Sequence, residues 1–163
     1  FVKLKKQNNK VAIIMGSQSD HSIMKDCEKI LKILKVKYQT SIVSAHRTPK
    51  RMFDFADKAE KNGFGVIVAG AGGSAHLAGM VASLTTLPVI GVPIESKKLK
   101  GLDSLLSVNQ MPQGVVVATV AIDGAFNAGI LAASIIGNFD EKVKSNLKKW
   151  RRVQTQSIKK KPK

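Results

Sequence analysis

The chain has 163 residues, 44% apolar and 23% charged, which fits one soluble folded domain and excludes a disordered tract or a fibre. Its 27 Lys and Arg against 11 Asp and Glu give a net charge of +16, which alone would suggest a polyanion partner. That excess sits at the ends: residues 1–10 hold four lysines and no acid, and residues 138–163 hold ten basic side chains against Asp140 and Glu141. The 13 basic and 9 acidic residues between them need no nucleic acid to explain them. We read 1–10 and 156–163 as solvated basic tails around one domain at 11–155, with no nucleic-acid partner.

Taken in chain order, residues 11–15 form a short apolar, β-branched run closed by Gly16, and 20–37 place Ile23, Cys27, Ile30, Leu31 and Leu34 at helical spacing. Residues 38–43 read as a second strand. Thr48 then stands where it can cap a helix whose first position is Pro49, and Phe53, Ala56 and Ala59 give that helix its buried side. A third strand is predicted at 65–69, a short helix at 76–84, a fourth strand at 88–92, helical turns at 101–108, a fifth strand at 115–120, a helix at 124–136 and a last helix after Asn138. Apolar strands without polar alternation, each followed by a helix, predict an α/β fold: a doubly wound parallel sheet of about five strands covered on both faces.

Cys27 is the sole cysteine, so neither an intrachain disulfide nor a thiolate metal cluster can form, and a cytoplasmic, reducing setting is expected. No apolar run spans a bilayer, and the run at 11–15 after Lys3, Lys5 and Lys6 is too short for a secretory signal, so no membrane role is expected. Ala125, Gly129 and Ala133 recur every four residues, and Phe139, Val143, Leu147 and Trp150 form a second stripe. Either face suits the protein's own core or a contact with another subunit.

Ligands of such sheets bind outside the carboxyl ends of the strands, so function belongs to the loops that follow them. After the first strand, Ser17 and Ser19 offer hydroxyls at a helix start and Asp20 a carboxylate suited to a sugar diol; a plain helix cap explains Ser19 or Asp20 equally well. After the second, His46 and Arg47 precede a helix, where an arginine fork and helix N–H groups can hold a phosphate beside a group that titrates near neutrality. After the third, Gly70, Gly72 and Ala75 match a dinucleotide fingerprint, with Glu95 downstream. That fingerprint opens the third unit rather than the first and carries His76 where a pyrophosphate would lie, so we read the glycines as room for a close ligand or subunit. No phosphate-binding G-x-x-x-x-G-K-[ST] loop, H-E-x-x-H pair or G-x-S-x-G elbow is present, and His21, His46 and His76 lack carboxylate-rich company, so no metal and no cofactor are expected.

The three loops in this order resemble class I N5-carboxyaminoimidazole ribonucleotide mutases. The likeness rests on Met15-Gly16-Ser17-x-Ser19-Asp20, Val43-Ser44-Ala45-His46-Arg47-Thr48-Pro49 and Ala69-Gly70-Ala71-Gly72-Gly73-x-Ala75-His76-Leu77-x-Gly79-Met80. Val92-Pro93, Asp103-Ser104-Leu105 and Gln110-Met111-Pro112 extend it. The resemblance implies a flavodoxin-like three-layer fold, a homo-octamer and cofactor-free transfer of a carboxylate from N5 to C4 of an aminoimidazole ribonucleotide in purine biosynthesis. It implies that His46 is the general acid and base, that Arg47, Ser17 and Ser19 hold the 5′-phosphate and that Asp20 holds the ribose. Ser44, Ala45, Gly72, Gly73, Ala75, His76 and Leu77 would line the pocket for base and carboxylate. The chain departs from the usual pattern at Ser74, Ala78 and Gln113, none of them a motif acid, base or phosphate ligand. The rival readings are a related carboxylase that takes free CO2, against which the Arg after the His speaks, and a nucleic-acid or acidic-partner module built on the tails.

Overall fold

The computed structural model describes residues 8–161; the basic side chains of Lys3, Lys5, Lys6 and Lys163 lie outside that range. In chain order the elements are β1 (Lys10–Met15), a single 3-10 turn (Gln18–Asp20), α1 (His21–Ile33), β2 (Lys37–Ile42), α2 (Pro49–Lys58), β3 (Phe64–Gly72), α3 (Leu77–Ala82), β4 (Val89–Ile94), α4 (Leu102–Asn109), β5 (Ala118–Thr119), α5 (Ala125–Ile136) and α6 (Glu141–Ser157). The strands form one five-stranded sheet in the order β2-β1-β3-β4-β5, parallel at every pairing. This is the flavodoxin-like, doubly wound α/β arrangement.

β1 is buried along nearly its whole length and serves both faces of the sheet, because successive side chains of a strand point opposite ways. Val11, Ile13 and Met15 join the core under α1 and α5, whereas Ala12 and Ile14 join the core under α2, α3 and the end of α4. The turn of α1 onto one face and of α3 onto the other opens a crevice at the carboxyl ends of β1 and β3.

Several elements depart from their sequence-based bounds for identifiable reasons. α1 stops at Ile33 because Lys35 takes a left-handed conformation at φ 57, and the Val36 N–H turns back to the Leu31 carbonyl at 2.9 Å. On the buried side of α2, Ala56 and Ala59 lie as the sequence predicts, but Met52 takes the place expected of Phe53, which is 52% exposed. The fifth strand shrinks to Ala118–Thr119, paired with Ile90 and Gly91. Gly114 at φ 96 turns the chain just before it, Val116 points to solvent, and Val117 packs on Gly91 instead of entering the ladder.

The small-residue face of α5 is core rather than subunit contact. A Cβ on Gly129 would stand 2.4 Å from Ile30 Cγ2 and 3.2 Å from the Cys27 carbonyl oxygen, so the missing side chain lets α5 and α1 touch. On α6, Val143 and Leu147 are buried and Trp150 packs against Phe126, with ring centroids 6.1 Å apart, while Phe139 stays exposed. Cys27 lies in the same interior, and burial, with the Glu28 charge adding to it, pushes its thiol up to about 12.

Two outcomes follow. Gly129→Leu should lower stability by about 3 kcal/mol through overpacking, read as a fall in the urea midpoint at unchanged slope. Cys27 should stay unreactive toward an aromatic disulfide reagent at pH 8 in the folded protein and react at once in denaturant; rapid labelling without denaturant would contradict its burial.

Candidate active site

At the switch point between β1 and β3 lies a cavity of about 410 Å³, within the ordinary range for a small-molecule site. It is built from the three loops singled out in the sequence. The first loop contributes Gly16, Ser17 and Asp20, the second Ser44, Ala45, His46 and Arg47, and the third Ala71, Gly72, Ser74, His76 and Leu77.

The first loop is held by its own carboxylate. Asp20 Oδ2 accepts from the Ser17 backbone N–H at 3.0 Å and from the Ser17 hydroxyl at 3.1 Å, and the Ser17 and Ser19 hydroxyls stand 2.7 Å apart. Asp20 is thus both a cap that closes the loop and a cavity wall. Ser19 is one hydroxyl removed from the wall, bonded to Ser17 rather than lining the space.

The second loop is a compact turn around Ser44, which is only 6% exposed. Ser44 N–H donates to Thr48 Oγ1 at 2.9 Å, and the Thr48 hydroxyl donates back to the Ser44 carbonyl at 3.0 Å. Thr48 does stand at the N-cap of α2 with Pro49 next to it, but its hydroxyl closes the preceding turn instead of capping a helix N–H. The Ser44 hydroxyl accepts from the Arg47 backbone N–H at 3.2 Å and lies 3.4 Å from Arg47 Nε, while Arg47 Nη2 donates to the Gly16 carbonyl at 2.8 Å. The guanidinium is therefore aimed from β2 across to the end of β1. Its remaining donors stay available, as a bidentate anion contact requires.

His46 and His76 meet across the cavity. His46 Nε2 lies 2.9 Å from His76 Nδ1, with ring centroids 5.0 Å apart and planes at 82°. Only one proton can occupy that hydrogen bond, so the two rings cannot choose their tautomers independently. His76 is the N-cap of α3, at φ −76 and ψ −15, a fixed helical position from which to orient His46.

The third loop explains the glycine pattern. Gly70 lies inside β3, paired with Met15 and Val92, and a Cβ there would fall 2.3 Å from Met24 Sδ, so this glycine admits α1 against the sheet. The dinucleotide fingerprint thus straddles a strand rather than following one. Of the residues inferred for the pocket, Gly73 and Ala75 do not line it: Ala75 is wholly buried, and Gly73, at φ +65, is partly exposed beside the wall and gives its N–H to Ser104 at 2.8 Å. Gly16, Ala71 and Ser74 were not singled out as pocket residues, although each neighbours one that was. Among the described residues, no group of three or more His, Cys, Asp or Glu converges as a metal site, and no helix is long and apolar enough to cross a membrane.

Fold and site together define a class: a flavodoxin-like α/β protein whose switch-point crevice joins two contacting imidazoles, a guanidinium and a serine loop. The model of the family described as AIR carboxylase matches residues 10–157, and the chain belongs to that family. It is 51% identical over 162 residues to the N5-carboxyaminoimidazole ribonucleotide mutase of Pyrococcus horikoshii, covering 99% of this chain and 92% of the relative. To the protein of the same name from Saccharolobus solfataricus it is 58% identical over 141 residues, covering 86% and 89%. To that from Escherichia coli K12 it is 50% identical over 151 residues, covering 91% and 89%. The crystal structure of Treponema denticola PurE shares its fold at a TM-score of 0.84 and 28% identity, over 91% of this chain and 93% of that one.

Proposed function

We propose that the protein is an isomerase of purine biosynthesis that moves a carboxylate from N5 to C4 of aminoimidazole ribonucleotide, without a cofactor and in a reducing cytoplasm. The relatives that carry the mutase name match nearly the full chain at about half identity. The observation that carries the reading is the placement of the His46 imidazole, 2.9 Å from His76, in one cavity with the Arg47 guanidinium.

In this reading Arg47 binds the 5′-phosphate together with the Ser17 and Ser19 hydroxyls, Ser17 in the cavity wall and Ser19 bonded to it. Asp20, whose Oδ1 takes no part in the loop contacts, accepts from the ribose hydroxyls. His46 protonates the carbamate nitrogen N5; the N5–carboxylate bond breaks, its electron pair stays on nitrogen and CO2 is released into the cavity. C4 of the electron-rich ring attacks the CO2 carbon, and His46 takes the C4 proton. One proton leaves and one returns, so substrate and product are isomers and the enzyme is reset. His76 holds the His46 ring at the reacting end and fixes its tautomer, and the Ser44, Ala45, Gly72 and Leu77 walls limit escape of CO2. Ala75 acts from behind that wall and Gly73 from its edge.

The reading includes a homo-octamer. Leu99, Leu102, Leu106 and Val116 are each at least half exposed and supply apolar surface for contacts between copies, a task α5 does not share.

Conversion of the carbamate to the C4 carboxylate, followed by absorbance, tests the assignment. His46→Asn should lower kcat by about 10³-fold or more while leaving ribonucleotide binding within about threefold. Arg47→Ala should raise KM by about 10- to 100-fold, the range set by loss of a charge-assisted phosphate contact. Equal turnover in wild type and His46→Asn would remove His46 from the chemistry. A requirement for added bicarbonate, with no conversion of the carbamate, would favour the carboxylase instead.

A further inference from the structure

The segment Asp103-Ser104-Leu105 belongs to the sequence resemblance yet touches no part of the cavity. Ser104 is 0% exposed, and its hydroxyl donates to the Ile94 carbonyl at 2.6 Å while accepting from the Gly73 N–H at 2.8 Å. A single buried hydroxyl thereby joins the end of β4, the first turn of α4 and the glycine loop after β3. Asp103 holds it in place: its Oδ1 accepts from the Ser96 hydroxyl at 2.7 Å and from the Ser104 N–H at 2.9 Å. The Ser96 hydroxyl, more than any other neighbour, keeps the Asp103 carboxyl below its usual value and therefore ionised as an acceptor. One turn along, the Ser107 hydroxyl donates to the Asp103 carbonyl at 2.7 Å and lies 3.4 Å from the Gly73 carbonyl oxygen, on the far side of the same residue.

We propose that Ser104 is a positioning residue that fixes the orientation of the Gly72–Gly73 peptide and, through it, the wall of the cavity where the carboxylate moves. A trans peptide directs its N–H and its C=O to opposite sides. With the Gly73 N–H held by Ser104, the Gly72 carbonyl faces away from α4, at a residue that lines the cavity. Gly72 is held as the last residue of β3 by its pairing with Ile94, but a Cβ on Gly73 would meet nothing within 4 Å, so at the Gly73 end of the peptide packing contributes little and the Ser104 hydroxyl supplies the anchor. Loss of the hydroxyl frees the peptide to rotate, which replaces an acceptor with a donor at that wall and leaves the loop to sample several shapes. The phosphate end, built from the other two loops, lies outside this linkage.

The inference rests on the proposed carboxylate transfer, and the experiment separates the two. Ser104→Ala is compared with wild type and with Ser96→Ala, which loosens the start of α4 without removing the Gly73 contact. Each protein is assayed for kcat and KM, for ribose 5-phosphate binding by calorimetry and for Gly73 amide exchange. Ser104→Ala is expected to lower kcat by about 10-fold or more, to bind ribose 5-phosphate within about twofold of wild type and to speed Gly73 exchange by about 10-fold or more. Ser96→Ala is expected to keep kcat within about threefold of wild type. Unchanged kcat or unchanged Gly73 exchange in Ser104→Ala overturns the proposal. So does an equal fall in kcat for Ser96→Ala, or a parallel loss of ribose 5-phosphate binding, since either marks general loosening. A wild type that exchanges slowly at Gly73 but does not isomerise the carbamate refutes the function and leaves the orienting contact standing.

Discussion

The whole arrangement depends on β1 being paired on both edges, with β2 on one side and β3 on the other. That pairing sends α1 and α3 to opposite faces and leaves the carboxyl ends of β1 and β3 without a helix between them. The strand is also the hydrophobic centre of the molecule, feeding alternate side chains into both cores. Its burial makes the crevice rigid: the loop that starts at Gly16 leaves a strand that cannot shift without disturbing both layers.

Within the crevice, order is supplied by short polar links rather than by charge pairing. Asp20 bonds its own loop, Thr48 closes the turn at Ser44, Arg47 reaches the Gly16 carbonyl, and Ser104 holds Gly73. Each link satisfies a backbone group that a loop at a sheet end would otherwise leave unpaired. The ion pairs of Lys50 with Asp54 and of Lys144 with Glu141, and the hydrogen bond between His21 and Glu28, all lie outside this set. The high net charge of the chain therefore has little part in shaping the cavity. Of the lysines and arginines among the described residues, only Arg47 lines it.

The parts of the site legible in the sequence are those whose role is local. Ser44 to Arg47 stand together in the chain, and the identity of the strand before them and the helix after them fixes where they point. The glycine loop was legible as a loop, but not in its inner division, since the wall residues Gly72 and Ser74 alternate with Gly73 and Ala75, which do not line the cavity. The role of Ser104 is not legible in its motif because its partner lies 31 residues away, and no local pattern reports such an approach. The fold errors have similar sources. Met52 and Phe53 are both large and apolar, so periodicity alone leaves the face of α2 open by one position. The apolar run at 115–117 reads as strand, and its exclusion from the sheet follows from Gly114 and the packing of Val117 over Gly91.

The two edges of β1 also impose an order on biosynthesis. Its partner β2 follows within one helix, but β3 begins only at Phe64 and the third wall of the cavity ends at Leu77. A nascent chain that has emerged as far as α2 already carries Ser17, Asp20, His46 and Arg47, yet the strand that would set them against His76 is still in the ribosome. Ligand can therefore select and stabilise this fold only after roughly half of it has been made.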